Sequence, residues 1–142
     1  MISFKSGILT PALGFVCLLV AGCGESDVVP VSGTLTYKGK PVTNAHIHFV
    51  PDKGRPSFGT TDGQGKFTLT YDPQIKGAQR GKHRVFVEYN SSADQTRPGA
   101  IPGETVALPP DLRAFFDKYG GTNSKAEVTI EKATSDLKLE WD

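Results

Sequence analysis

The feature that most constrains this chain is a two-residue rhythm. In Val31-Ser32-Gly33-Thr34-Leu35-Thr36-Tyr37 the apolar side chains fall on odd positions. Successive side chains of an extended strand point to opposite faces, so the pattern describes a strand with one face buried. The rhythm returns at Ala45, Ile47 and Phe49, which alternate with His46, His48 and Val50. It returns again at Phe67, Leu69 and Tyr71, and at His83, Val85, Val87 and Tyr89, which alternate with Arg84, Phe86 and Glu88. Phe58 to Thr61 opens a further strand. Ala126, Val128 and Ile130 make another, and Leu137, Leu139 and Trp141 make the last, after a loop at 133–136. Turn residues separate these runs: Lys38-Gly39-Lys40-Pro41, and Asp62-Gly63-Gln64-Gly65, where glycine admits the positive φ of a tight connection. About seven strands of this kind predict an all-β sandwich, with the alternating apolar side chains facing inward. With 142 residues and 37% hydrophobic content, there is enough material for one core and one domain.

One stretch departs from the rhythm. Asn90 to Lys125 is rich in Pro, Gly and polar residues, yet Leu112, Phe115, Phe116 and Tyr119 sit at the spacing of a helical apolar stripe. A short helix is expected over 110–119, ended by Gly120 and Gly121. Within a compact domain, so long an insertion is either a binding loop or a cover for exposed strands. The two phenylalanines favour a cover.

The amino-terminal segment does not fit the rhythm at all. Lys5 supplies one positive charge, and the run from Gly7 to Gly22 then has none. That is the layout of a secretory signal, and the run is short for the ~20 residues of a spanning helix. The stretch LLVAGCGESD ends the run at a cysteine, and Val20-Ala21-Gly22-Cys23 resembles the bacterial lipobox. The resemblance implies cleavage before Cys23 and diacylglyceryl modification of its thiol, with palmitate-type chains as the anchor. Two or more acyl chains hold a membrane stably where one does so marginally. The expected organisation is a signal peptide at 1–22, a lipidated tether at 23–29 and a domain at 30–142, placed extracytoplasmically on the cell membrane or outer membrane. Cys17 would leave with the signal, which takes with it Lys5 and no acid and leaves basic and acidic side chains equal in number. A balanced charge offers no footprint for nucleic acid, so none is expected as a partner.

Further motifs occur in order: Val31-Ser32-Gly33-Thr34-Leu35, Gly39-Lys40-Pro41-Val42, Asn44-Ala45-His46-Ile47-His48-Phe49, Thr61-Asp62-Gly63-Gln64-Gly65-Lys66-Phe67 and Gly81-Lys82-His83-Arg84-Val85. Together they resemble the carboxypeptidase regulatory-like domain of the transthyretin-like, or prealbumin-like, group, in the form found in small bacterial lipoproteins. The resemblance is best over 30–90 and looser from Pro110 to Trp141. It implies a seven-stranded Greek-key-type β-sandwich. It brings no catalytic group with it, because every motif residue has a structural task.

The chemistry-bearing residues are few. His46 and His48 share one strand face at a metal-ligand spacing, and are candidates for a metal site. Ala45, Ile47 and Phe49 take the core face, so the histidines are expected outward, in water, with His83 poorly placed to join them. No nucleophile elbow or identifiable base is present, and the chain ends in Leu139-Glu140-Trp141-Asp142, without the carboxy-terminal motif of the transthyretin-like hydrolase. Asp62-Gly63-Gln64-Gly65 offers one carboxylate where calcium requires several oxygens. No catalytic residue and no cofactor is expected. The reading is a membrane-anchored, non-enzymatic structural or binding module of the cell envelope with a protein or glycan partner. The alternative is a periplasmic small-ligand or metal-binding protein using the His46/His48 face or a pocket under the 90–125 insertion.

Overall fold

A computed structural model describes residues 27–91, 98–99, 101, 107–121 and 124–142. The expected signal segment, Cys23 and the first part of the expected tether lie outside the described residues. The described chain is mostly strand: β1 (Val28–Val29), β2 (Val31–Tyr37), β3 (Lys40–Pro41), β4 (Ala45–Pro51), β5 (Ser57–Thr60), β6 (Lys66–Thr68), β7 (Thr70–Asp72), β8 (Ile75–Lys76), β9 (Ala78–Gln79), β10 (Gly81–Tyr89), the helix α1 (Pro110–Tyr119), β11 (Ala126–Ile130) and β12 (Thr134–Trp141). One sheet has the order β11-β10-β4-β5-β7-β8. The other runs β12-β2-β3 with β6 also on β2, and β1 pairs β9.

The two-residue rhythm becomes the core. Val31, Leu35 and Tyr37 of β2 are buried, as are Ala45, Ile47 and Phe49 of β4, and Val85 and Val87 of β10. All belong to one apolar cluster with Phe67 and Leu139. The rings of Phe49 and Phe67, from opposite sheets, lie 6.3 Å apart, so the sheets face each other in a sandwich-like arrangement. Each large side chain buried this way contributes roughly 1.5–3 kcal/mol. The hairpin between β2 and β3 has two central residues, Lys38 at φ 50 and Gly39 at φ 75, the twist that suits a two-residue connection.

The structure differs from the expected strands in three places. The first is the run Phe67 to Tyr71, which is not one strand. β6 pairs β2 and β7 pairs β5, and the chain changes sheets at Leu69. That residue is buried; its N–H donates to Val31 O at 2.9 Å and its O accepts from Gly77 N–H at 2.7 Å. The turn at Asp62 therefore rounds a corner between sheets rather than joining two paired strands.

The second is the last strand, which starts at Thr134 and not after Asp136. It pairs β2 in parallel, from Thr134 opposite Val31 to Trp141 opposite Tyr37. Parallel neighbours need a long crossover. Here almost the whole domain supplies it, because the two longest strands of this sheet, β2 and β12, are its first and last in the chain. The register slips between Thr134 and Leu137. A Cβ on Gly33 would collide there with the Leu137 carbonyl, so the glycine is a requirement of close approach.

The third is the end of the expected tether. Val28–Val29 is strand, with Val29 buried against Ala78 on β9, and the fold begins nearer to Cys23 than Pro30.

Candidate functional site

Two regions gather the residues that could act. The first is the outer face of the β10-β4-β5 strip. Antiparallel pairing sets Phe86, His48 and Phe58 side by side across the three strands, with Glu88, His46 and Thr60 in the row beside them. The expectation that both histidines stand outward from the core holds for the strand phase but not for their surroundings. The His48 ring stacks on Phe86 with centroids 4.4 Å apart and planes 7° apart, and meets Phe58 edge-on at 5.2 Å. Its side chain retains 19% of its exposure, and Nε2 lies 3.2 Å from Glu88 Oε2, outside hydrogen-bond alignment. Burial between the rings lowers the His48 pKa below the ordinary imidazole value; Glu88 opposes the shift and His46 adds to it. His46 Nδ1 hydrogen-bonds Thr60 Oγ1 at 2.9 Å.

The third histidine does not join this pair. His83 lies on the opposite, inward face of β10, fully buried, with Nε2 2.7 Å from Gln79 O and its ring 5.8 Å from Phe49. Among the described residues no group of three or more His, Cys, Asp or Glu is arranged to hold a metal ion. The face instead presents an aromatic row with Phe58 at 45% exposure. Asp62, on the corner turn, uses Oδ1 to accept from the Gln64 and Lys66 N–H groups at 2.8 and 2.9 Å. Those two N–H groups lower its pKa.

The second region is the end of the sandwich where β2 finishes, under part of the 90–125 insertion. Pro110 occupies the first turn of α1, where its missing N–H costs nothing, and Asp111 and Lys118 match the helix dipole. The apolar stripe faces the core as its spacing predicts: Phe115 is fully buried, and Leu112, Phe116 and Tyr119 pack on the core cluster. Phe115 touches Tyr37 at 5.0 Å, Tyr119 at 5.4 Å and Trp141 at 5.8 Å between centroids. Phe116 meets Tyr89 at 5.6 Å, so the helix ties β10 of one sheet to β2 and β12 of the other. Gly120 lies against Phe116 O, where a Cβ would clash, and Gly121 has φ 50. The helix thus covers the seam between the sheets.

Beside the start of this helix is a concavity of about 230 Å³, lined by Tyr37, Val42, Pro41, Pro109 and Leu112, with Lys38, Lys40 and Asp111 also in its wall. Lys38 Nζ lies 5.1 Å from the centroid of the Tyr37 ring, and Lys38 N–H donates to Trp141 O at 2.8 Å. The alternative reading of the sequence named a pocket under the 90–125 insertion but none of the residues that line it, and the aromatic row was not identified. Phe58 and Phe86 on outward strand phases were the available signal for the row. Nothing local signals the cavity, whose two walls are about seventy residues apart in the chain.

Among the described residues no helix is long and apolar enough to cross a membrane. No protein-family model, curated protein or solved structure significantly matches this chain.

Proposed function

We propose that this chain is a lipid-anchored extracytoplasmic protein, held on the cell membrane or outer membrane through acylated Cys23. Its β-sandwich serves as a non-enzymatic structural or binding module of the cell envelope. In this reading the domain has the seven-stranded Greek-key plan of a carboxypeptidase regulatory-like module, with the shorter strands as elaborations. The observation that carries the proposal is the charge-free run ending at Cys23, followed within a few residues by the first strand of the fold. Support for a binding role comes from the aromatic row on the outer face, a contact surface for an envelope protein or glycan. Exchange of Cys23 for Ser is the test. The variant should leave the membrane fraction or accumulate with its leader intact. A Cys23→Ser chain that is processed and still membrane-bound would refute the anchor.

The concavity beside α1 favours a second reading, in which the anchored domain is a small-ligand-binding protein. Its apolar floor and charged rim have the composition of a ligand site. A thermal-shift screen of soluble metabolites separates the readings: a ligand that raises the melting temperature supports the second, and recovery of one envelope partner without such a ligand supports the first.

A further inference from the structure

We propose that the concavity between the β2–β3 hairpin and the start of α1 binds a small monocarboxylate with an apolar body, such as an arylacetate or a short acyl acid. The lining includes Tyr37, Val42, Pro41 and Leu112, largely apolar side chains that suit a ring or short chain. The volume, about 230 Å³, falls below the ~300–1,000 Å³ of sites for drug-sized ligands and limits the occupant to one substituted ring or a few methylenes.

The rim selects the charge. Lys38 and Lys40 bring two ammonium groups against the single carboxylate of Asp111. Among the described residues neither lysine is paired with an acid. An anion held near an apolar floor is attracted more strongly than in bulk water, because less water screens it.

A separate observation points to the same hairpin. Lys38 holds φ 50, a left-handed conformation that asparagine or glycine adopts more readily than lysine. A non-optimal residue kept in such a conformation is a reason to ask what its side chain does. Here the side chain lies over Tyr37, one of the residues lining the concavity. β2 runs from the Val31 end, next to the proposed tether, to Tyr37. The site thus lies at the opposite end of β2 from the start of the described chain.

The inference rests on the small-ligand reading and not on the lipid anchor, so a failed titration leaves the Cys23→Ser fractionation result standing. The test is calorimetric titration of the full-length chain in nanodiscs with phenylacetate and, separately, with the neutral isostere phenylacetamide. Empty nanodiscs serve as the blank. Phenylacetate should bind at least about tenfold more tightly than the amide, a difference of about 1.4 kcal/mol. The paired change Lys38→Asn with Lys40→Gln should bring acid affinity down to that of the amide. Asparagine suits the backbone at position 38, so the variant should unfold at the same or a higher temperature than the parent, which separates loss of binding from loss of fold. Equal binding of acid and amide, unchanged acid affinity in the paired variant, or no binding of phenylacetate or hexanoate overturns the proposal.

Discussion

Where β2 begins, near Pro30, the two sheets are closed by backbone hydrogen bonds; where it finishes, near Tyr37, they are closed by rings. At the first end Arg80 N–H donates to Asp27 O at 2.8 Å and Thr134 N–H to Pro30 O at 3.0 Å, beside the two-residue pairing of β1 with β9. At the second, Phe115 is buried among Tyr37, Phe116, Tyr119 and Trp141. The contrast follows from what each end must do. The first receives the chain from the proposed anchor and is closed by the main-chain pairing of β1 with β9 over the small buried side chains of Val29 and Ala78. The second would leave the seam between the sheets open without the helix, and it carries the concavity.

If this contrast is right, the two ends respond to different kinds of substitution. The largest effect is expected from Phe115→Ala. It removes a fully buried ring that anchors the helix on Tyr37 and Trp141, and should cost about 3–5 kcal/mol in chemical denaturation, as large-to-small changes of buried aromatics do. A loss below about 1 kcal/mol would mean that the helix merely rests on the sandwich. At the other end a backbone change should matter. Gly77 has φ 122, and a Cβ there would meet the Val29 carbonyl and Pro30. Gly77→Ala should therefore cost about 1–3 kcal/mol. Gly63→Ala, with nothing within 4 Å of its Cβ position, should stay within about 0.5 kcal/mol of the parent and serves as the control.

A smaller effect is expected at the edge of the ring cluster. The Tyr119 hydroxyl donates to Asp142 O at 2.9 Å in an exposed position. Tyr119→Phe should change stability by less than about 1 kcal/mol, since water replaces the lost partner. That result would show that packing, and not this hydrogen bond, holds the end together.

The smallest effect at neutral pH, visible only on acidification, concerns the outer face. The pKa of His48 is lowered in the folded protein, first by burial between the rings. The unfolded chain then binds a proton at higher pH than the folded one. This part of the stability is complete above the ordinary imidazole value of about 6.5 and declines as pH falls through it. Melting temperature against pH should fall less steeply for His48→Gln than for the parent between about pH 6.5 and 5. Parallel curves would mean that the rings do not hold the imidazole neutral.

The two ends were not equally readable in the sequence. Alternation identified the inward residues of β2, β4 and β10 position by position, and the stripe at Leu112, Phe115, Phe116 and Tyr119 identified the covering helix with its buried face. Period-two patterning assigns a face but not a neighbour. It could not show that β12 lies parallel to β2, nor that Leu69 is a corner where the chain leaves one sheet for the other. Thr134 to Asp136 looked like loop because they are polar; their strand is formed by main-chain pairing with β2, which polarity does not report. His46 and His48 were correctly assigned to the outward phase. The rings that flank His48 come from strands ten and thirty-eight residues farther along the chain, so its half-buried environment depends on register. The concavity depends on where α1 docks, which its own stripe does not specify.

The proposed anchor gives the two ends their meaning, and intact mass spectrometry of native chain extracted from membranes tests it most directly. The account predicts a polypeptide that begins at Cys23 and carries the added mass of diacylglycerol, with or without a further acyl group. A chain that still contains the residues before Cys23, or one that begins at Cys23 with its thiol unmodified, would contradict it.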